Sequence, residues 1–467
     1  MLPAGAAPLL DAYYRDRADV TASFAIPGHK NRYDLIGNVT VGDRPVLLTH
    51  DMHAPSQGTV RVAEHAAADL WGATHARFSV NGSSAANQAA VMAVAGPGDT
   101  VIVSRTLHKS LLLGLVHAGA TPVWIRPTLH PDTGLPIGMD PAVIGAALTA
   151  HPDARAVIVG EPSYVGTHGD VRAMATVAHT HNVPLIVDAA WAAHYGFHPA
   201  LPAHALHDGA DIMVTSTHKT LPAWTQSAMI LTQGDRVDQG RLDKMFNGTQ
   251  TTSPSAAILA SIDGARALLH LHGPDLLGPV ITAVAHARAV LARIPDLIVL
   301  DGPGVDPLKL VLLLPGTGAT GYAIASELLG HGIDLETIDR DILIPQITLA
   351  DTPDGIAAMV TVLSAAIRRH ARRARRGLSA AAWQVEPTVV MSPRDAFYAT
   401  TVTVPWSAAL GRVSAELIAP YPPGIPVLAP GELITAAALE LLTDAQAAGV
   451  TIAYAADPTL ATVRVVA

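Results

Sequence analysis

The hydrophobic and polar positions of this chain follow two alternating patterns between about residues 76 and 230. Short runs rich in β-branched residues are separated by stretches in which apolar residues recur at helical spacing. Because a return to a parallel strand needs a crossover connection, this alternation predicts a parallel sheet covered by helices on both faces. The predicted strands span residues 77–80, 100–104, 122–125, 156–159, 184–187, 212–215 and 228–231, and two of the predicted helices span residues 84–95 and 171–180.

The pattern changes after residue 253. A predicted helix over residues 256–271 ends at Gly273 and Pro274, and mixed strands and helices follow to about residue 373. The sequence therefore predicts an α/β fold, in which a large domain with a mostly parallel seven-stranded sheet is joined to two smaller units. The expected units are an N-terminal arm over residues 1–60, the large domain over 61–270, a small α+β domain over 271–375 and a C-terminal domain over 383–467.

The composition is typical of a globular protein and excludes several kinds of chemistry. Apolar residues make up 49% of the chain and charged residues 15%, and no apolar run reaches the length of about 18 residues that a membrane span needs. The N-terminus lacks the features of a secretory signal, so we expect a soluble protein of the cytoplasm with no membrane partner. The absence of cysteine excludes disulfides and thiolate chemistry, and a formal charge of -9 argues against a nucleic-acid partner.

One short segment, residues 368–376, departs from this acidic balance because six of its nine residues are arginine. It is either a patch that binds polyanions or the last turns of a helix that runs into a linker. Cations at the carboxyl end of a helix are favoured by the helix dipole, so we predict the helix end.

Two reactive side chains follow predicted strands at the same edge of the sheet. Lys219 comes shortly after the strand over residues 212–215, where open α/β sheets bind ligands, and its amine can form a Schiff base or simply face solvent. Asp188 comes directly after the strand over residues 184–187. Its carboxylate can pair with a protonated pyridine nitrogen or cap the next helix.

Two further segments lie at the same edge. Ser83 and Ser84 open a helix whose free backbone N–H groups and positive dipole suit a phosphate, although serines also serve as ordinary helix caps. The segment is neither a dinucleotide fingerprint nor a Walker loop, since the required glycines and Gly-Lys-Ser/Thr are missing. His108 follows the strand over residues 100–104, and its imidazole can stack on a flat cofactor ring.

In order and spacing, these segments resemble the Orn/Lys/Arg decarboxylase family of pyridoxal-phosphate enzymes of fold type I, whose substrates are basic amino acids. The resemblance covers nearly the whole chain and is closest to the short form, which lacks an N-terminal receiver-like domain. The matching segments are Pro27-Gly28-His29-Lys30, Asn81-Gly82-Ser83-Ser84, His108-Lys109-Ser110, Asp188-Ala189-Ala190-Trp191, Ser216-Thr217-His218-Lys219, Thr251-Thr252-Ser253-Pro254, Tyr421-Pro422-Pro423-Gly424-Ile425-Pro426 and Pro430-Gly431-Glu432.

The resemblance implies pyridoxal 5'-phosphate as the cofactor and a role for each matching residue. Lys219 would form the internal aldimine, Asp188 would pair with the pyridine nitrogen and His108 would stack on the ring. Ala190 would pack on the opposite ring face beside Trp191. The residues expected to hold the phosphate are Ser83, Ser84, Ser216 and His218. A homodimer, or a multiple of dimers, is also implied.

The reaction implied is the decarboxylation of arginine, lysine or ornithine to an amine. A carboxylate must then pair with the distal cation of the substrate, and the candidates are Glu161, Glu336 and Glu432, of which Glu161 stands where the family usually has a small polar residue. The proton donor to the α-carbon is either Lys219 or His108. An aminotransferase or oxidase is the alternative, while a non-catalytic regulator would not need both Lys219 and Asp188.

Twenty-two histidines invite a metal interpretation. His194 and His198 have the i, i+4 spacing of a zinc pair, but no His-Glu-x-x-His pattern occurs and the residues between them suggest irregular structure. The sequence therefore predicts no metal centre.

Overall fold

A computed structural model describes residues 2–19, 41–43, 58–377, 385–421 and 424–467. The matching segment over residues 27–30 and the two prolines Pro422 and Pro423 lie outside the described residues, as does most of the expected N-terminal arm.

The elements are numbered in chain order. The helices are α1 (Pro8–Asp19), α2 (Thr59–Leu70), α3 (Gly82–Val94), α4 (Lys109–Ala118), α5 (Pro141–Ala150), α6 (Val171–Thr180), α7 (Thr217–Thr220), α8 (Gln239–Thr249), α9 (Ala256–Leu291), α10 (Gly321–Gly330), α11 (Pro353–His370), α12 (Pro393–Tyr398) and α13 (Ala436–Ala447). The strands are β1 (His75–Ser79), β2 (Thr100–Ser104), β3 (Thr121–Ile125), β4 (Val157–Gly160), β5 (Leu185–Asp188), β6 (Ile212–Thr215), β7 (Ala228–Thr232), β8 (Ile298–Val299), β9 (Leu312–Leu313), β10 (Thr337–Ile338), β11 (Ile342–Ile344), β12 (Thr401–Pro405), β13 (Ala419–Tyr421), β14 (Thr451–Ala453) and β15 (Thr462–Val466).

The seven predicted strands form one sheet in the order β1-β7-β6-β5-β4-β2-β3, which confirms the mostly parallel seven-stranded sheet. The crossover argument predicts that all seven strands run parallel. This prediction is wrong for β7, which runs antiparallel to both β1 and β6. The connection over residues 216–227 contains only the single-turn helix α7. The chain therefore turns back beside β6 instead of crossing over, because a parallel return needs a longer crossover.

Helices cover both faces of this sheet, and β5 shows how the faces are divided. Leu185 and Val187 belong to the core beneath one face, whereas Ile186 belongs to the core beneath the other face, together with residues of α3 and α4. Since alternate residues of a strand point to opposite faces, Asp188 shares the face of Ile186. The carboxylate that ends β5 is thereby directed toward α3 and α4.

The long helix α9 corrects a predicted boundary. The expected end at Gly273 and Pro274 is wrong, because α9 continues to Leu291 and contains both Pro274 and Pro279. A proline inside a helix costs about 3 kcal/mol, but Leu277 and Val284, like Leu291, are fully buried in the main core and offset that cost. The helix also runs through residue 270, where the large domain is expected to end, and the domain limits stay predictions.

Two smaller regions follow. Strands β8 to β11 form an antiparallel sheet in the order β10-β11-β9-β8, and the last residues pair β12 with β15 and β13 with β14. The basic segment begins as the last turn of α11, as predicted, and His370 there contacts Glu327 of α10 at 2.9 Å.

A buried ion pair joins the C-terminal region to the seven-stranded sheet. Arg105, which follows β2, donates from Nη1 to Glu432 Oε1 at 2.5 Å and from Nη2 to Oε2 at 2.8 Å. The same guanidinium also donates to the carbonyls of Pro426 and Val427, and both side chains of the pair are buried. Glu432, a candidate for substrate binding, is therefore engaged in holding the two regions together.

We expect Glu432→Gln to lower the free energy of unfolding by about 3–5 kcal/mol, because removal of one partner leaves a buried charge unpaired. Urea denaturation of the parent and the variant measures the difference. The double change Arg105→Met with Glu432→Leu should cost less, since no charge is then left buried. Glu440→Gln, at an exposed position of α13, is the matched control, and an equal loss in both glutamine variants would contradict the role of the pair.

Candidate active site

A cavity of about 310 Å³ lies at the edge of the sheet where the parallel strands end. Gly160 ends β4, Asp188 ends β5, and residues 106–108 follow β2 at the same edge. Six of the nine residues predicted to bind the cofactor line this cavity: Ser83, His108, Asp188, Ala190, Trp191 and Lys219. The structure therefore brings together side chains that lie more than 130 positions apart in the chain.

Lys219 reaches the cavity from the short helix α7, which follows β6. Its ammonium nitrogen Nζ lies 3.9 Å from the centre of the Trp191 ring. Burial lowers the pKa of Lys219, although the carboxylates of Asp188 and Glu336 act in the opposite sense. A lowered pKa brings a lysine closer to the uncharged form that attacks carbonyl groups.

Asp188 is buried and held by two hydrogen bonds. Its Oδ1 accepts from the backbone N–H of Ala190 at 3.2 Å, and its Oδ2 accepts from Asn87 Nδ2 at 2.8 Å. Asn87 is fully buried in α3, and sequence reasoning gave it no role. The only sequence signal was its place in the polar segment that opens this helix.

His108 is the N-cap residue of α4. Its Nδ1 accepts from the backbone N–H of Ser110 at 3.3 Å and lies 2.8 Å from the Ser110 hydroxyl oxygen. Burial lowers the pKa of His108, and the nearby charges of Lys219 and Lys109 act in the same direction against the attraction of Asp188. The ring is therefore biased toward its neutral form.

Three of the four residues predicted to hold a phosphate, Ser83, Ser84 and Ser216, lie at or beside the start of α3. The hydroxyl of Ser216 donates to the Ser83 hydroxyl oxygen at 2.8 Å, and both side chains are buried. Ser84 lies in the first turn of α3, whose N-cap residue Asn81 makes no side-chain capping bond. His218 Nδ1 lies 2.8 Å from the carbonyl oxygen of Ser227, and Ser84, Ser216 and His218 are not among the lining residues.

The three candidate acids are separated by the structure. Glu161 is buried and accepts from the backbone N–H groups of Met139 at 2.9 Å and Gly169 at 3.0 Å, and burial raises its pKa to about 7. Glu432 is held by its arginine partner, as described above. Glu336 is exposed and lines the cavity, so it is the candidate that a substrate can reach.

The C-terminal region completes the rim of the cavity. Tyr421 at the end of β13 and Tyr454 just after β14 line it together with Gly424. The Lys109 ammonium lies 4.8 Å from the centre of the Tyr454 ring and thereby links this rim to α4. Tyr454 lies almost 350 residues from Lys109, and no local pattern in the sequence marks it.

Lys309 is a second lysine at the site that sequence reasoning missed. Its Nζ lies 3.9 Å from the centre of the Trp191 ring and donates to Gln346 Oε1 at 2.9 Å. The side chain is buried, and a Cβ atom at Gly166 would approach its Cγ to 2.6 Å, so the glycine leaves the space that it fills. Lys219 and Lys309 thus place two amines against one indole.

We expect the free energy of unfolding to depend less on pH in Lys309→Met than in the parent between about pH 8 and 10. Burial lowers the pKa of Lys309 to about 8, despite the attraction of Asp306. In that range the unfolded chain binds more protons than the folded one, so the stability of the parent rises with pH through this group.

Urea midpoints at several pH values measure the slope. Lys244→Met, which removes an exposed lysine of α8, is the control and should keep the slope of the parent. If the urea midpoint changed with pH equally in Lys309→Met and in the parent, the lowered pKa of Lys309 would be contradicted.

The histidine pair considered for zinc is used otherwise. His194 is buried with its Nε2 at 3.1 Å from Asp306 Oδ2, and His198 Nδ1 accepts from the backbone N–H of Ala200. Within the described ranges, no group of three or more histidine, aspartate or glutamate side chains is arranged to hold a metal ion. No helix in the same ranges is both long and apolar enough to span a membrane.

The site places an amine, a buried carboxylate and an imidazole at the carboxyl ends of parallel strands and beside a helix N-terminus. This arrangement is typical of an α/β enzyme. Within this class, the chain belongs to the Orn/Lys/Arg decarboxylase family. The major-domain model of that family matches residues 7–303, and the model of its C-terminal domain matches residues 376–450.

Individual relatives agree with this assignment. The chain is 35% identical to an arginine decarboxylase of Halalkalibacterium halodurans over 95% of this chain and 94% of the relative, and 32% identical to one of Bacillus subtilis over 98% and 97%. The solved constitutive lysine decarboxylase of Escherichia coli superposes with a TM-score of 0.83 at 22% identity, over 99% of this chain and 82% of that one. The family and the fold class predicted from the motifs are confirmed.

Proposed function

We propose that this chain binds pyridoxal 5'-phosphate at Lys219 and decarboxylates a basic L-amino acid, with arginine as the first candidate. The observation that carries the proposal is the buried Lys219 amine, which shares one cavity with Asp188, His108 and Ser83. Two of the relatives matched along nearly their full length are named arginine decarboxylases, which favours arginine over lysine and ornithine.

The donor set fits this cofactor. The start of α3, with Ser83 and Ser84, offers N–H groups and hydroxyls to a phosphate, and Ser216 contacts Ser83 there. His218 would approach the phosphate from α7. Asp188 would keep the pyridine nitrogen protonated, while His108 and Ala190 would flank the ring, with Trp191 next to Lys219. When bound, the cofactor supplies an electron-withdrawing ring that takes up the electron pair left by departing carbon dioxide.

Glu336 is proposed as the partner of the distal cation of the substrate. It is exposed at the cavity, where Tyr421 and Tyr454 add ring faces to which a guanidinium or ammonium group binds favourably. An exposed acidic group that lines the same cavity as two tyrosines suits a substrate that extends from Lys219 toward solvent.

The expected setting follows from the family. We infer a homodimer or a multiple of dimers, a cytoplasmic location and a role in supplying amines for polyamine synthesis. The solved structure of an aminotransferase is a distant likeness, with a TM-score of 0.56, and no contact in this cavity favours transamination or oxidation.

We expect purified protein with added pyridoxal 5'-phosphate to be yellow and to carry the cofactor on Lys219 after borohydride reduction. The chain contains five lysines, so peptide mass spectrometry identifies the modified position without ambiguity. Lys219→Ala should lose both the adduct and carbon dioxide release. An adduct on Lys109 or Lys309 in the parent would contradict the assignment.

We expect Glu336→Gln to raise the KM for arginine by about tenfold to a hundredfold with a smaller effect on kcat, because a charged hydrogen-bond partner of the substrate is lost. Carbon dioxide release from arginine, lysine, ornithine and neutral amino acids measures the preference. Glu161→Gln is the comparison, since Glu161 does not line the cavity and both its oxygens accept from backbone N–H groups, so its change should leave the preference unaltered. If Glu336→Gln and the parent had the same KM values for these amino acids, Glu336 would be excluded as the partner of the distal cation.

A further inference from the structure

Four polar side chains form a hydrogen-bonded path from Asp188 to His108. Asn87 Nδ2 lies 2.8 Å from Asp188 Oδ2 and 3.1 Å from Ser110 Oγ. Ser110 Oγ in turn lies 2.8 Å from His108 Nδ1. Asn87 and Ser110, which form the middle of this path, are buried and do not line the cavity.

The direction of each hydrogen bond follows from what the groups can donate. An ionised carboxylate only accepts, so the amide nitrogen of Asn87, and not its oxygen, faces Asp188. The second hydrogen of that nitrogen goes to Ser110 Oγ. The hydroxyl hydrogen of Ser110 is then directed to His108 Nδ1, and the backbone N–H of Ser110 points at the same atom from 3.3 Å.

This assignment leaves the remaining atom of the amide without a partner. Asn87 Oδ1 is buried and finds no hydrogen-bond partner in the described structure. A buried unpaired carbonyl oxygen is unfavourable, and the reverse orientation of the amide would place that oxygen against the Asp188 carboxylate, which is worse. The orientation that satisfies Asp188 is therefore also the one that makes the amide a double donor.

We propose that Asn87 and Ser110 are positioning residues that hold His108 as the neutral imidazole with its proton on Nε2, so that Lys219 and not His108 protonates the α-carbon. The second half of this inference rests on the proposed function. Burial of the imidazole and the cationic neighbours Lys219 and Lys109 favour the same neutral state.

The proton balance of the reaction gives the reason. When carbon dioxide has left, the α-carbon must take up one proton to complete the amine product. A neutral His108 that gave up its Nε2 proton would become an anion near the Asp188 carboxylate, an unfavourable pairing of like charges. Protonated Lys219 instead loses one N–H bond as the new C–H bond forms, and it returns to the free amine.

The protonation state can be measured without the cofactor. In 15N spectra of histidine-labelled apo-protein at pH 7, His108 should show an unprotonated Nδ1 and a protonated Nε2, and its signals among the 22 histidines are those that vanish in His108→Phe. Ser110→Ala should raise the pKa of His108 by about one pH unit, since a donor to Nδ1 is lost. Ser110→Thr, which keeps the hydroxyl, should restore the value of the parent.

Ser364→Ala in α11 is the matched control, because its hydroxyl takes no part in the path, and it should leave the His108 signals in place. A proton on Nδ1 in the parent at pH 7, or an equal pKa of His108 in Ser110→Ala and the parent, would overturn the inference.

Kinetics test the assignment of the proton donor. A general acid contributes about 10² to 10⁴ in rate, so His108→Phe, which keeps a flat ring, should lower kcat by less than about tenfold if Lys219 is the donor. A loss of kcat of a hundredfold or more in His108→Phe would overturn it. Failure of the parent to release carbon dioxide from any basic amino acid would instead overturn the proposed function, which the NMR result does not require.

Discussion

Parallel strands present their carboxyl ends at one edge of a sheet, and the site of this protein depends on that constraint. Strands β2, β4, β5 and β6 come from widely separated parts of the chain, yet they lie side by side in the sheet. The residues that follow them therefore meet over one cavity. The alternation within β5 then directs Asp188 to the face covered by α3 and α4, where Asn87 donates to it and also contacts Ser110.

The features that could be predicted from sequence are those that local pattern determines. Short apolar runs predict buried strands, and polar residues directly after such strands lie at the edge of the sheet. The sequence therefore predicts that Lys219, Asp188 and His108 lie at the same edge. Two predictions from local signals were wrong because contacts elsewhere in the fold decide the structure there. Pro274 reads as a helix stop, but the packing of later residues of α9 carries the helix through it, and a short connection reverses β7.

The features that could not be predicted depend on contacts between distant parts of the chain. Asn87 and Ser110 lie within polar segments that were noticed, but their roles need the packing of α3 against α4. Tyr454 reaches the rim only through the pairing of β13 with β14. Glu432 fits the description of a substrate-binding acid until its arginine partner, more than 320 positions earlier, is placed beside it.

Residue 309 is a lysine and not an arginine, and the groups around its side chain explain why. The chain uses arginine at 25 of its 30 basic positions, yet two of its five lysines contact the ring of Trp191. An arginine stays charged and needs several acceptors, whereas the neighbours of the Lys309 amine are one amide oxygen of Gln346 and a carboxylate, Asp306, that already contacts His194. A lysine can be satisfied there and can lose its charge. Because the charge of Lys219 adds to burial in lowering the pKa of Lys309, the protonation of these two amines is linked across the indole.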